Sequence, residues 1–321
     1  MNPTVAIQIV TYNSSKDIET CLEAVYNQTH PIACICVIDN ASSDDMMKQL
    51  QPYSDQAQIV ANSDNNGFAG GHNQGFALSE TEYILVLNPD VVMHPDYVRE
   101  LVHFMEQNPE YGMATGKLFK NKAATVIDST GIVMKKNRRA FDRGADSTEL
   151  SSWEHSADVF GVSGAAALYR RTMIEDVSID GEFFDESFFA YKEDVDVCWR
   201  AQLMGWQARF VSTAFAYHAR GWNTDKSRKD VNLKIRRHSY INRYYYIVKN
   251  DTWLYLILHA PFILFYEILS IGYVIIKERE LLEAWSHIWK QRKQLFSKRR
   301  AIQKKRRVSY KTIYQFFQGV W

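Results

Sequence analysis

Four short apolar runs, at residues 5–10, 34–38, 59–61 and 83–87, constrain this chain more than any other feature. Each is too short for a packed helix and suits a buried strand. Segments with helical signals separate them. Residues 15–28 place Ile18, Leu22 and Val25 on one face, residues 44–50 and 67–79 follow, and residues 95–107 open on a proline in the first turn. A β-α-β-α rhythm of this kind predicts an α/β fold: a Rossmann-like, mostly parallel sheet flanked by helices. In such sheets ligands bind at the carboxyl ends of the strands. The polar residues of this chain follow that rule. Thr11-Tyr12-Asn13 comes after the first run, Asp39-Asn40-Ala41-Ser42 after the second, Asn65-Asn66-Gly67 after the third and Asn88-Pro89-Asp90 after the fourth. One such cluster is a turn signal, but four along one sheet edge describe a site.

Farther along, residues 135–156 lose their periodicity among charged and small side chains, and a surface loop is expected there. Order returns in the segment 159–169, which holds Ser163-Gly164. Residues 193–203 read as a helix closed by Gly205, and strand-like runs at 210–211 and 214–217 end on His218. The acid cluster Glu193-Asp194-Val195-Asp196 opens that helix, where the helix dipole favours ionised carboxylates. Asp196 and Arg200, four residues apart, are expected to make an ordinary surface pair. Trp199 and Trp222 could stack on the flat face of a ligand, though burial is the commoner fate of such rings.

A formal net charge of +1 conceals a strong asymmetry. Residues 1–225 hold 17 Lys/Arg against 31 Asp/Glu, whereas residues 226–321 hold 21 against 6. The expected division is therefore an acidic domain at 1–225 and a basic helical region at 226–321. Within the latter, residues 253–276 carry one charged side chain, Glu267, together with His259 and Pro261. Residues 277–311 are basic, with Trp285, Ile288, Trp289, Leu295 and Phe296 interleaved. This composition predicts peripheral, monotopic attachment to an anionic membrane surface. A true membrane span and a buried or homo-oligomer-forming helix pair are the alternatives. No nucleic-acid recognition motif accompanies the basic residues, so nucleic acid is not an expected partner. No signal peptide precedes the first strand, and the cysteines (Cys21, Cys34, Cys36 and Cys198) lack zinc-like spacing. Both points favour a reduced compartment and the cytoplasmic face of the membrane.

Five segments taken together carry a family resemblance. They are residues 8–13, 37–44 and 65–75, Leu87-Asn88-Pro89-Asp90, and residues 188–200 with their Glu193-Asp194-Val195-Asp196. In this order and spacing they resemble glycosyltransferase family 2, particularly its rhamnosyltransferase-like branch, over roughly residues 4–222. The resemblance implies a GT-A fold, a divalent metal (Mg²⁺ or Mn²⁺), a nucleoside diphosphate sugar as donor and co-substrate, and inversion at the anomeric carbon. It further implies Asp194 as the general base with Glu193 orienting it or the acceptor, and Asp90 and His218 at the metal and diphosphate. The family's usual metal motif is Asp-any-Asp, and Asn88-Pro89-Asp90 departs from it by one carboxylate.

On the donor side, Asp39 resembles the carboxylate that reads the nucleoside base. A carboxylate accepts from the ring N–H of uracil or thymine, which fits a pyrimidine donor. An Asx turn with Asn40 and Ser42 is the alternative use of Asp39, and both could hold at once. Thr11 and Asn13 are expected to line the same pocket. The segment Asn66-Gly67, Gly70 and Asn73 is expected to bring backbone N–H groups to the donor at a helix start, and Asn88, Ser163 and Gly164 to sit near the sugar. The branch implies dTDP-rhamnose, with a UDP-hexose or UDP-galactofuranose as the other donor. A lipid-linked glycan acceptor of surface polysaccharide biosynthesis would account for the basic, apolar tail. An inert membrane-bound glycan-binding scaffold is the rival from another class. A sugar nucleotidyltransferase is disfavoured, because Thr11-Tyr12-Asn13-Ser14-Ser15 lacks a Gly-rich basic loop.

Overall fold

A computed structural model describes residues 2–219 and 232–320. Twelve strands are present among them: β1 Val5–Thr11, β2 Cys34–Asp39, β3 Gln58–Ala61, β4 Tyr83–Leu87, β5 Val91–Met93, β6 Tyr111–Phe119, β7 Ile127–Ser129, β8 Ile132–Met134, β9 Ala140–Asp142, β10 Ala157–Val159, β11 Ala166–Arg170 and β12 Gln207–His218. The helices are α1 Ile18–Tyr26, α2 Met46–Leu50, α3 Gly67–Phe76, α4 Tyr97–Gln107, α5 Arg171–Val177, α6 Glu193–Leu203, α7 Leu233–Asn250, α8 Trp253–Leu258, α9 Ala260–Lys277, α10 Ala284–Lys305 and α11 Tyr310–Tyr314.

The main sheet runs β10-β12-β6-β11-β4-β1-β2-β3, with β5 paired to β12 and β7 to β6. The strands from the predicted βα repeats, β4-β1-β2-β3, are all parallel, as their crossover helices require. Beyond them the sheet is mixed, because β11 enters antiparallel between β4 and β6. The whole is the GT-A arrangement of a mixed sheet with flanking helices. Both faces of the first strands are buried, which explains why their sequences read as continuous apolar runs.

Register places Thr11 level with Asp39, and Asp39 level with Ala61, so the polar clusters that follow do line one edge. Helix α3 lies unusually close to β1. A Cβ at Gly71 would come within 2.8 Å of Val10, and one at Gly75 within 2.8 Å of Gln8. These glycines serve helix–sheet packing.

The C-terminal helices share a core with the sheet. Tyr246, Ile302, Tyr314 and Phe317 belong to the same buried cluster as Trp199, Cys198 and Phe160. Trp199 is fully buried, as the commoner fate of such a ring anticipates. The segment expected to be a surface loop behaves otherwise. Its start forms the β8–β9 hairpin, and Asn137 and Arg138 at the tip have no exposed surface. Arg138 is held in the interior because every face of its guanidinium is used. It bonds Asp251 at 2.6 Å, His259 Nδ1 at 2.8 Å and the carbonyls of Lys136 and Tyr255. A buried arginine paired in this way is tolerated where an unpaired one is not.

The long apolar stretch is also divided. Pro261 cannot donate a backbone hydrogen bond and begins a new helix, so α8 ends at Leu258 and α9 starts at Ala260. Helix α9 is the one described helix long and apolar enough to cross a membrane, and only 6% of its window is buried in the protein.

Candidate active site

Helix α6 places the acid cluster. The chain approaches it through a strained segment in which Phe189, Tyr191 and Lys192 all adopt positive φ, at 62°, 72° and 70°. Left-handed backbone at three such residues is costly and persists only when neighbours enforce it. Asn242 of α7 does so, its amide nitrogen bonding the carbonyls of Phe188, Ala190 and Tyr191 at 2.9, 2.9 and 2.7 Å. Gly67 packs against the same segment, where any Cβ would lie 2.3 Å from the Phe189 carbonyl oxygen.

The result is a half-buried Asp194 at the first turn of α6. It accepts from the Gly164 N–H at 3.2 Å and the Val195 N–H at 2.7 Å. Burial pushes its carboxyl up, those two N–H groups pull it back, and the charge of Asp142 pushes again; the balance is a pKa of about 6. Glu193 is buried behind it and, by burial and the charge of Asp194, is held well above the usual carboxylate range. Of the two expected catalytic acids, then, only Asp194 has access to the crevice. Through its N–H bond Gly164 sits beside Asp194. Ala165 accepts from the Asn88 N–H at 2.8 Å, tying this loop to the turn that carries Asp90.

Asp90 and His218 do converge. His218 Nε2 lies 3.3 Å from Asp90 Oδ1, while its Nδ1 lies 2.8 Å from Asp128 Oδ2. Burial alone would lower the imidazole, but the hydrogen bonds to Asp128 and Asp90 and their charges raise it to about 9. Asp128 was not singled out in the sequence. It stands in Val126-Ile127-Asp128-Ser129-Thr130, at the middle of β7, where no strand-end signal marks it. Among the described residues no cluster of three His, Cys, Asp or Glu side chains could hold a cation alone. One carboxylate and one imidazole fit a hard cation that fills its remaining positions with diphosphate oxygens and water. Asp128 would then fix the ring's orientation from behind.

On the donor side, Asp39 and Thr11 are buried and joined at 3.0 Å. Asp39 also accepts from the Ser42 N–H at 3.1 Å and from its hydroxyl, which is the Asx-type turn. Asn13, at φ 54°, closes the neighbouring turn by accepting from the Ser43 N–H at 2.8 Å.

The N–H of Gly67 is taken by the Asn65 side chain at 2.8 Å, and that of Ala69 by the Phe189 carbonyl at 3.1 Å. With both capped, the turn is largely satisfied from within. Gly70 is enclosed by Asn66 and Glu186, its built Cβ lying 3.0 Å from the Asn66 Cβ. Asn73 spends its amide on the protein, bonding Phe184 through both ends and Glu186 at 3.0 Å, and so fastens the segment leading to α6. The Asp196–Arg200 pair is also misplaced on the surface. It forms, at 3.0 Å, but in the interior, where Lys249 and Asn250 of α7 complete it, each at 2.8 Å. Trp222 lies outside the described residues.

The model for glycosyl transferase family 2 matches residues 6–178. A low-salt glycan biosynthesis hexosyltransferase of Haloferax volcanii is 26% identical over 61% of this chain and 61% of its own length. A rhamnosyltransferase of Escherichia coli, WbbL, is 27% identical over 46% of this chain and 60% of its own. The chain thus spans about three-fifths of these relatives. Among solved structures, GalNAc-T7 with UDP, GalNAc and Mn²⁺ superposes with a TM-score of 0.59 at 12% identity, covering 77% of this chain and 48% of that one.

Proposed function

From the premise that this chain belongs to glycosyl transferase family 2, we propose that it is an inverting sugar transferase using a nucleoside diphosphate donor and a lipid-linked glycan acceptor. The observation that carries the reading is Asp194, a half-buried carboxylate raised to about 6 at the start of a helix beside the sheet edge. An inverting transfer needs one base to take the acceptor hydroxyl's proton as that oxygen attacks opposite the leaving diphosphate. A carboxyl near 6 is ionised at neutral pH yet basic enough to accept that proton. The Gly164 N–H orients it, and the Asn242-braced segment fixes where it points.

Asp90 and His218 would hold a divalent cation, Mg²⁺ or Mn²⁺, whose contribution is to neutralise charge on the departing diphosphate. Thr11, Asn13 and Asp39 form the floor of the nucleoside pocket, with Asn88, Ser163 and Gly164 beside the sugar. GalNAc-T7, solved with UDP and Mn²⁺, supports this general arrangement. The similarity to WbbL, a rhamnosyltransferase, supports rhamnose as the sugar, with dTDP-rhamnose as the donor in this reading, and the similarity to the Haloferax volcanii hexosyltransferase leaves another hexose, carried on UDP, as the second reading.

The C-terminal region supports peripheral attachment at the cytoplasmic face of the membrane. Ile257, Ile268, Ile276 and Trp289 are 72, 70, 71 and 68% exposed. Side chains of that size left in water on α8–α10, within a region (residues 226–321) that holds 21 Lys/Arg against 6 acids, suit an anionic lipid surface. Ile257→Asp with Ile268→Asp should release the chain from vesicles containing anionic lipid. Unchanged sedimentation together with a concentration-dependent dimer would instead assign the face to a second copy.

Calorimetric titration with dTDP, UDP and GDP, with and without Mg²⁺, tests the enzyme reading. Metal-dependent binding of dTDP above UDP is expected, the reverse order changes the donor, and no binding of any favours the inert scaffold.

A further inference from the structure

Helix α9 is fastened to the body through few side chains. Of its 18 residues only Val274 is buried, while Leu264, Ile268, Ile275 and Ile276 are exposed. A groove of about 500 Å³ lies between α7 and α9. Beside it Glu267, the one acidic residue of α9, bridges the two helices. Its carboxylate accepts from Arg243 Nη1 and, at 2.7 Å, from the Tyr244 hydroxyl. Arg243 is itself buried and donates to the carbonyls of Asn137 at 2.6 Å and Arg138 at 3.2 Å, so it belongs to the body and not to α9.

The residue before Arg243 is Asn242, the brace on the carbonyls of Phe188, Ala190 and Tyr191. One short stretch of α7, Asn242-Arg243-Tyr244, therefore holds the left-handed approach to Asp194 and α9 at once. Arg236 also bonds Glu278, just past the end of α9, at 2.9 Å, but Glu267 is the contact next to the brace. Backbone kept in costly conformations depends on the rigidity of whatever enforces it. Burying the apolar face of α9 in lipid would fix that helix, and a helix already fixed passes its rigidity to what it holds.

We propose that Glu267 is a positioning residue through which an anionic lipid surface steadies the catalytic base. Helix α9 lies along the bilayer surface with Leu264, Ile268 and Ile275 inserted. Glu267 then keeps Arg243 and Tyr244 in place, and Asn242 holds the approach to Asp194. In this arrangement α9 does not cross the bilayer. Crossing would carry Glu267, near the middle of the helix, into hydrocarbon and strip the buried Arg243 of its carboxylate. The proposal rests on the membrane reading above and holds whichever sugar is transferred.

The test mixes the full chain with vesicles of phosphatidylcholine and phosphatidylglycerol, sedimentation giving the bound fraction. Hydrogen exchange is followed in peptides covering residues 186–196, where the amides of Phe189, Ala190 and Asp196 bond the carbonyls of Glu186, Phe188 and Lys192. Bound wild type should exchange there about tenfold more slowly than free. Glu267→Gln should sediment with the vesicles as wild type does and gain no protection. The control Glu283→Gln, which breaks the exposed pair with Arg237, should gain it in full. Unchanged exchange in bound wild type, or a full gain in Glu267→Gln, overturns the coupling. Should Glu267→Gln fail to fold, Tyr244→Phe removes a single hydroxyl, and a full gain there overturns it instead. Wild type that does not sediment with the vesicles removes the membrane reading itself.

Discussion

Helix α6 carries two aspartates two residues apart whose environments are opposite. Asp194 faces the crevice with two backbone N–H donors and no cation, and its carboxyl is raised to about 6. Asp196 faces the interior and is met by Arg200, Lys249 and Asn250. Lys249 also reaches Asp185, which bonds Lys298 at 2.9 Å, so the network joins α6, α7 and α10. Burial raises the Asp185 carboxyl, but Lys249 and Lys298 outweigh it and hold that group well below the usual range. One side of the helix is thus fully neutralised and rigid, while the other keeps a poorly stabilised charge available for proton transfer. The comparison teaches where this fold anchors itself and where it stores reactivity.

The largest effect should come from Asp194→Asn, which removes the base while retaining an oxygen for the Gly164 N–H. Turnover should fall about 10²–10⁴-fold with nucleotide binding kept. The ionised Asp194 is disfavoured in the fold, so its stability cost grows as pH rises from the ordinary 3.8 to about 6 and stays above that. The variant should accordingly melt no lower than wild type at pH 7.5. Near-normal turnover would place the base elsewhere.

The opposite outcome is expected of Asp196→Ala, which strands Lys249 and Arg200 without their shared acceptor. Unfolding in urea should register a loss of about 3–5 kcal/mol. A loss within about 0.5 kcal/mol, the range of ordinary surface changes, would mean that the network is solvated and the contrast false.

Asn242→Ala sharpens the comparison by loosening only the strained approach to Asp194. Here kcat should fall about tenfold with the donor KM unchanged, because misplacing a base weakens chemistry and not donor binding. Equal changes in both would mean a general loss of structure.

Smallest is a pH effect with a definite sign. Asp194 must be ionised to act, so kcat/KM should fall with an apparent pKa near 6 on the acid side, about tenfold per unit below it. Since Asp196 is paired, this limb should vanish in the residual activity of Asp194→Asn. A limb that survives there belongs to another group.

How much of this was legible beforehand differs by region. The parallel half of the sheet followed from four apolar runs, three of which, β1, β2 and β4, are buried on both faces and leave no alternation to confuse the reading. Asp90, His218, Asp194, Ser163 and Gly164 were named chiefly through the family resemblance, with strand-end position supporting Asp90 and a helix start Asp194. Asp128 had no strand-end signal, because it lies in the middle of β7, a three-residue strand antiparallel to β6. Asn242 had no signal in the sequence: an asparagine in a polar helix says nothing about which distant carbonyls it will meet. The protein partners of Gly67, Gly70 and Asn73 were illegible for a related reason. A glycine-rich helix start reads the same whether its N–H groups await a ligand or meet a carbonyl brought in from residue 189.

Periodicity and strand-end chemistry are local properties, and from them alone the chain determined its sheet, its acidic site edge and its basic, apolar tail. What only the tertiary structure decided is which charges are neutralised. A guanidinium or carboxylate looks identical in sequence whether it faces water, as expected of Arg138 and Asp196, or lies buried among partners contributed by helices more than fifty residues away. Burial raises the cost of an unpaired charge, so distant partners must be gathered around it, and that gathering exists only once the chain has folded.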